Sequence, residues 1–170
     1  MIFTENLQLR PVSKDDWVIY SQILSCEELT RFLPKGCAYS QSEIEQHVQS
    51  RVEHWKRGFG SYVILKKSEQ DRPLGYVGVE ICGRPEFSDI RYALLPQFQG
   101  RGYAIEASRA VIKETFNLGY HRKIYGVSLQ ENTGSIAVLK KLGMRSEPSI
   151  NLYDDYQGLS TFSIQPSDLK

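Results

Sequence analysis

The chain has 170 residues, of which 41% are hydrophobic and 24% charged, and its 21 Lys plus Arg nearly balance its 20 Asp plus Glu. That length suits one domain with a full core, and that composition excludes disorder over most of the chain. A net charge of +1 excludes a nucleic-acid binder that acts by bulk basicity. No apolar run approaches the roughly 18 residues of a membrane span. The start, Met1-Ile2-Phe3-Thr4-Glu5-Asn6, lacks the basic and apolar regions of a secretory signal. Cys26, Cys37 and Cys82 form no C-x-x-C pair, which speaks against a disulfide framework and a zinc site. The expectation is a cytoplasmic protein with no metal, no nucleic-acid partner and no membrane partner.

Strand and helix signals alternate from end to end, with no repeat or linker. Residues 7–12 alternate and predict a first strand. Ser13-x-x-Asp16 is a capping-box pattern that opens a helix with Trp17, Tyr20 and Leu24 on one face. Residues 25–39, with Pro34 and Gly36, read mainly as loop. Ser40-x-x-Glu43 opens a second helix, striped by Ile44, Val48, Val52 and Trp55 and ended by Gly58. Its His47 and His54 fall on the expected exposed side, and with His121 they show no metal spacing.

Three β-rich runs follow: 61–67, 74–82 and 87–95, with a polar turn at 66–73 and another around Gly83-Arg84-Pro85. After the glycines at 100 and 102 comes a long helix marked by Ala104, Ala107, Val111 and Thr115 and ended by Gly119. Residues 123–129 predict a strand, 132–142 a short helix closed by Gly143, and 150–153 and 159–164 two last strands around a turn at 154–158. Lys140, Lys141 and Arg145 read as a solvated basic face. The fold class is α/β or α+β in one domain over residues 1–170. Its sheet is mixed and mostly antiparallel, with about six or seven strands and about four helices. The strand–helix–strand unit over residues 87–129 requires a parallel pair with a right-handed crossover.

The most informative segment is Leu95-Pro96-Gln97-Phe98-Gln99-Gly100-Arg101-Gly102-Tyr103-Ala104. A strand runs into a two-glycine loop where a helix begins. Unpartnered N–H groups and the helix dipole there suit a phosphate or pyrophosphate. No Gly-Lys-Ser/Thr follows, so this is no Walker A loop, and the third glycine of the Rossmann fingerprint is missing. A tight turn is the plain alternative.

Gln97-x-x-Gly100-x-Gly102 resembles the Q/R-x-x-G-x-G/A signature of the GNAT superfamily of N-acetyltransferases. Gly100-x-Gly102-Tyr103-Ala104-x-Glu106-Ala107 is similar to the start of that family's third helix. Asn132-x-x-Ser135-x-x-Val138-Leu139-x-Lys141-Leu142-Gly143-Met144 is similar to its next helix and exit turn. Leu7-x-Leu9-Arg10-Pro11 and Thr30-Arg31-Phe32-Leu33-Pro34 resemble the RimJ/RimL-like branch, the ribosomal-protein N-terminal alanine acetyltransferases.

The resemblance implies a GNAT-like fold and direct attack of an amine on acetyl-CoA, which serves as co-substrate. It implies cofactor contacts from Leu94, Leu95, Gln97, Phe98, Gln99, Gly100, Arg101, Gly102, Tyr103, Ala104, Asn132 and Ser135. In that family a bulge splays the strand before the loop, and here a backbone N–H near Leu94 would face the acetyl oxygen. The side chains of that strand read as merely apolar. Ser135 is the candidate donor to the departing thiolate, because the position of the tyrosine used by other branches is Leu139. A helix-surface hydroxyl is the alternative for Ser135, and an N-cap for Asn132.

Asp89 is the candidate base and Glu80 the second choice, each with a solvated sheet-edge charge as its alternative. Acceptor contacts are expected from residues 25–39 with the second helix. The 154–158 turn, with Asp154, Asp155, Tyr153 and Tyr156, is the other expected source. The acceptor is then a protein N-terminal α-amine or a small-molecule amine, and the protein a monomer or homodimer. Two other functions compete: a non-catalytic acyl-CoA-binding or regulatory protein on the same scaffold, and a nucleotide-phosphate binder.

Overall fold

The computed structural model describes residues 1–69 and 72–169. Strand β2 (Leu7–Pro11) buries Leu7 and Leu9 on one side, as its alternation requires. Strands β3 (Ser61–Lys66), β4 (Arg72–Cys82) and β5 (Arg84–Leu94) follow it as an antiparallel meander. With β1 (Ile2–Phe3), β6 (Ile124–Leu129), β7 (Arg145–Ser146) and β8 (Leu159–Ile164), the described residues form one eight-stranded sheet ordered β1-β2-β3-β4-β5-β6-β8-β7. Among the described residues, β5 and β6 are the one parallel pair. Helix α4 (Tyr103–Asn117) joins them, as the parallel crossover demands.

The helices α1 (Trp17–Leu24), α2 (Glu27–Thr30) and α3 (Gln41–His54) precede the meander, and α5 (Thr133–Lys141) follows β6. Tyr20 of α1 stacks on Tyr76 of β4 at 4.4 Å, and Arg51 of α3 pairs with Glu80 two rows further along that face. Helices α1 and α3 therefore cover one side of the sheet. On the other side, Val77 and Val79 are fully buried, as are Ala107, Val111 and Ile112 of α4. Arg109 of α4 donates to the Lys141 carbonyl at 3.1 Å, which sets α5 beside α4. A Cβ on Gly126 of β6 would lie 2.6 Å from the Leu139 side chain, so the small residue lets α5 sit close on the strand.

The capping box at α3 forms: Ser40 N donates to the Glu43 carboxylate at 2.7 Å, and Glu43 N to Ser40 Oγ at 3.3 Å. At Ser13 the backbone N–H donates to Asp16 at 2.7 Å, but a 3-10 turn (Lys14–Asp16) precedes α1. That tighter turn shifts the helical phase. Trp17 is consequently 46% exposed, and the buried stripe is Ile19, Tyr20, Ile23 and Leu24.

Four expectations need correction. The sheet gains β1 and β7, each only two residues long, and the expected loop at 25–39 holds the one-turn α2. Residues 150–153 are not a strand. The place beside β8 is taken by Arg145 and Ser146, and Tyr153 N donates to Asn151 Oδ1 in a side-chain turn. Part of the turn expected at 66–73 lies outside the described residues; residues 67–69 of it form a 3-10 turn. His47 and His54 are not on an exposed face. His54 accepts from Ile81 N through Nε2 at 3.0 Å and meets the Phe59 carbonyl through Nδ1 at 2.9 Å. Strand β3 begins opposite Gly78, so His54 supplies the partner that Ile81 would otherwise lack.

Candidate active site

Strand β5 pairs with β4 from Ser88 to Leu94, but with β6 only at Asp89, opposite Tyr125. Beyond Asp89 the two strands fork. Leu95 N donates to the Leu74 carbonyl at 2.9 Å, on the β4 side. Strand alternation therefore turns the N–H groups of Tyr92 and Leu94 the other way, into the fork. No register shift falls between Ile90 and Leu94; the shifts lie at Ile64/Leu65 and Ile81/Cys82. The opening comes from the departure of β6 rather than from a bulge in β5.

The glycine loop closes the mouth of this fork. A 3-10 turn (Pro96–Phe98) follows β5 and buries Phe98, with the Arg72 guanidinium 5.2 Å from its ring. Gln99 Nε2 donates to the Leu94 carbonyl at 3.0 Å and ties the loop to the strand. Gly100 and Gly102 have φ of +71° and +82°, the left-handed region, and Gly102 is the N-cap of α4. A Cβ at either would meet no protein atom within 4 Å, so conformation and not crowding demands glycine. Gln97 and Arg101 are exposed, and Tyr103 and Ala104 are half-buried in the first turn of α4. Glu106 faces away from the fork: it accepts from Thr4 Oγ1 at 2.5 Å and Asn6 N at 2.8 Å, which anchors α4 to the N-terminal hairpin.

Across the fork stands the start of α5. Asn132 is its N-cap, accepting from Ser135 N through Oδ1 at 3.2 Å. Ser135 is half-buried, and its Oγ lies 3.0 Å from the hydroxyl of Tyr92, which also donates to the Ser135 carbonyl at 3.2 Å. Tyr92 belongs to the strand read as merely apolar. Its hydroxyl and the Arg91 guanidinium are the polar groups that reading missed. The sequence signal was there in Asp89-x-Arg91, two charges at strand spacing within an apolar run.

The opposite face of β5 is closed. Asp89 and Glu80 stand opposite each other on adjoining strands, 4% and 0% exposed, in mid-sheet and not at an edge. Glu80 accepts from Ser61 Oγ at 2.7 Å and pairs with Arg51 of α3. Arg91 donates through Nε to Asp89 at 2.9 Å and through Nη2 to the Tyr153 hydroxyl at 3.0 Å, and its Nη1 lies 3.6 Å from Glu80. The Tyr153 hydroxyl donates to the second Asp89 oxygen. Two carboxylates and two guanidiniums thus balance. Burial raises the Asp89 carboxyl above its ordinary range, against the pull of Arg91 and Tyr153. Burial, then the charges of Arg51 and Arg91, hold His47 down at about 3.

Gly78 sits in the same row, where a Cβ would lie 2.5 Å from Ser61 Cα. Tyr153 brings the expected acceptor turn onto this network, and Arg84 pairs with Asp154 at 3.1 Å to pin it further. Asp155 and Tyr156 stay exposed.

The description of the acetyltransferase (GNAT) domain matches residues 6–145. The chain belongs to the GNAT acetyltransferase family. It is similar to the uncharacterized N-acetyltransferase YnaD of Bacillus subtilis (strain 168), 25% identical over 86% of this chain and 83% of that protein. Solved structures that share the fold include two acetyltransferases of stated acceptor. One is a Salmonella typhimurium acetyltransferase that modifies the N-terminal serine of ribosomal protein L7/L12; it has TM-score 0.78 and 21% identity and covers 95% and 96% of the two chains. The other is the Vibrio cholerae spermidine N-acetyltransferase in complex with CoA and spermine, with TM-score 0.78 and 18% identity, covering 98% and 99%.

The GNAT fold and activity inferred from the glycine-loop motif are those of the family: acetyl transfer from acetyl-CoA to an amine. The non-catalytic and nucleotide-binding readings find no support in these matches. Among the described residues, no helix of the GNAT chain is long and apolar enough to cross a membrane.

Proposed function

We propose that this chain is a RimJ/RimL-like acetyltransferase whose acceptor is a protein N-terminal α-amine, with small amines as the second class. The fork between β5 and β6 carries the reading. It presents the Leu94 N–H beside a two-glycine helix N-terminus, the arrangement needed to hold a thioester by its backbone-binding groups and its pyrophosphate. Leu94 and Leu95 border the acyl end. Gln97, Phe98, Gln99, Gly100, Arg101, Gly102, Tyr103 and Ala104 form the pyrophosphate loop, with Phe98 serving as its buried anchor. Asn132 and Ser135 face the pantetheine and sulfur. The reading takes residues 1–170 as one domain acting in the cytoplasm.

For the base we favour Asp89 over Glu80. Glu80 is held by Arg51, Arg91 and Ser61 together, and a carboxylate so engaged gives up its lone pairs poorly. Asp89 is made more basic by burial, and the Tyr153 hydroxyl stands between it and the acceptor turn. An α-amine is about one-seventh neutral at pH 7, whereas a lysine-like amine is neutral about once in 2,500. A shielded carboxylate therefore suits an α-amine better. The test is an acetyl-transfer assay with acetyl-CoA over short peptides with free N-terminal serine or alanine, beside spermidine. Turnover of the peptides supports the reading. Turnover of spermidine with none of the peptides overturns the acceptor assignment.

A further inference from the structure

One phenol of the fork has a role that sequence position alone does not suggest. Tyr92 is the β5 residue two before Leu94, and its side chain crosses the fork to α5. Its hydroxyl lies 3.2 Å from the Ser135 carbonyl, to which it can donate, and 3.0 Å from Ser135 Oγ, where either oxygen can be the donor. A serine in a helix can return its own proton to a backbone carbonyl three or four residues back. Here Ser135 Oγ instead engages Tyr92. We propose that Tyr92 is a positioning residue for the leaving group: its O–H donates to Ser135 Oγ and turns the serine proton outward, toward the thioester sulfur. The inference rests on the assignment of Ser135 to that sulfur.

The chemistry decides between positioning and full proton donation. In the reaction the amine nitrogen forms the N–C bond, the C–S bond breaks, and the sulfur leaves with the electron pair. Burial pushes the Tyr92 phenol up to about 12, while a thiol titrates near about 8.5. Moving the phenol proton to the thiolate is therefore uphill by roughly three powers of ten. The pair stabilises the thiolate as a hydrogen-bonded anion. The sulfur takes its proton afterwards from solvent, and the proton shed by the amine leaves through the base. Because the phenol stays protonated across the working range, its donor role does not titrate away.

The test needs no acceptor. CoA is bound to the protein, and the thiolate of the bound coenzyme is titrated by its ultraviolet absorbance in wild type, Tyr92→Phe, Ser135→Ala and the double variant. The expected result is a bound-thiol pKa about one unit higher in each single variant than in wild type, with the double variant no higher than Ser135→Ala. Difluorotyrosine at position 92 keeps the ring and strengthens the donor, so it lowers the pKa further even if Tyr92→Phe does not fold. A shift in Ser135→Ala with none in Tyr92→Phe, shifts that add in the double variant, or no response to difluorotyrosine overturns the role of Tyr92. No shift in Ser135→Ala overturns the underlying assignment of Ser135 instead. Failure of wild type to bind CoA overturns the donor-site reading itself.

Discussion

On one face of β5, Asp89 and Arg91 are locked with Glu80, Arg51, Ser61 and Tyr153 into a balanced set of charges. On the other face, one residue after Arg91, Tyr92 reaches a single serine across an opening that the sheet leaves unpaired. The same strand thus carries a closed polar network and an open one. Closed hydrogen bonding in low dielectric makes a rigid floor, because removing any one member strands the rest. Open hydrogen bonding leaves capacity for a ligand. A residue on the closed face should therefore govern stability, with Asp89 alone also serving turnover as the proposed base, and one on the open face should govern binding and turnover at little cost in stability.

The largest expected break of this contrast is Glu80→Ala, which leaves Arg51, Ser61 and Arg91 facing an uncompensated gap. A loss of about 3–5 kcal/mol in urea unfolding is expected. A loss below about 1 kcal/mol would show that the network is not the floor of the sheet. Gly78→Ala tests the same face by crowding rather than charge. Its Cβ would approach Ser61 Cα to 2.5 Å, backbone that cannot swing aside, at a cost of about 1–3 kcal/mol. Ser135→Ala on the open face should cost under about 1 kcal/mol in the same measurement while slowing acetyl transfer about tenfold. The opposite pattern would dissolve the contrast.

The pH dependence sharpens the comparison. His47 sits on the closed side and is held at about 3, against about 6.5 for the unfolded chain. Below pH 6.5 the unfolded chain binds a proton that the fold refuses, so this group's contribution falls as pH drops from about 6.5 toward 3. The slope is at most about 1.4 kcal/mol per pH unit. Replacing His47 by Gln removes that slope, so the stability advantage of wild type over the variant should shrink with falling pH. An advantage constant between pH 7 and pH 4 would place His47 in water.

The fold was legible wherever a pattern ran long enough to repeat. The alternation of β2 and the stripes of α3 and α4 each cover several periods, and those elements appear where expected. Two-residue strands and a one-turn helix carry no period to read, and residues 150–153 failed because a local side-chain turn outweighed their alternation. The glycine loop was legible because positive φ restricts the residue type at Gly100 and Gly102.

The charge network was not legible, for a reason of register. Glu80 meets Asp89 only because the β4–β5 hairpin turns tightly at Gly83 with a shift at Ile81/Cys82; a slip of one residue would send it to the other face. Arg51 and Tyr153 join from 29 and 64 residues away in the chain. Tyr92 was hidden differently. Its partner on α5 could not be paired with it before the fork was known.

The most direct test of the central claim, that the fork and its glycine loop hold the acetyl donor, is calorimetric titration of acetyl-CoA into wild type and Gly102→Val. The account predicts micromolar binding to wild type and its loss in the variant. No binding to wild type, or equal binding to both, would contradict it.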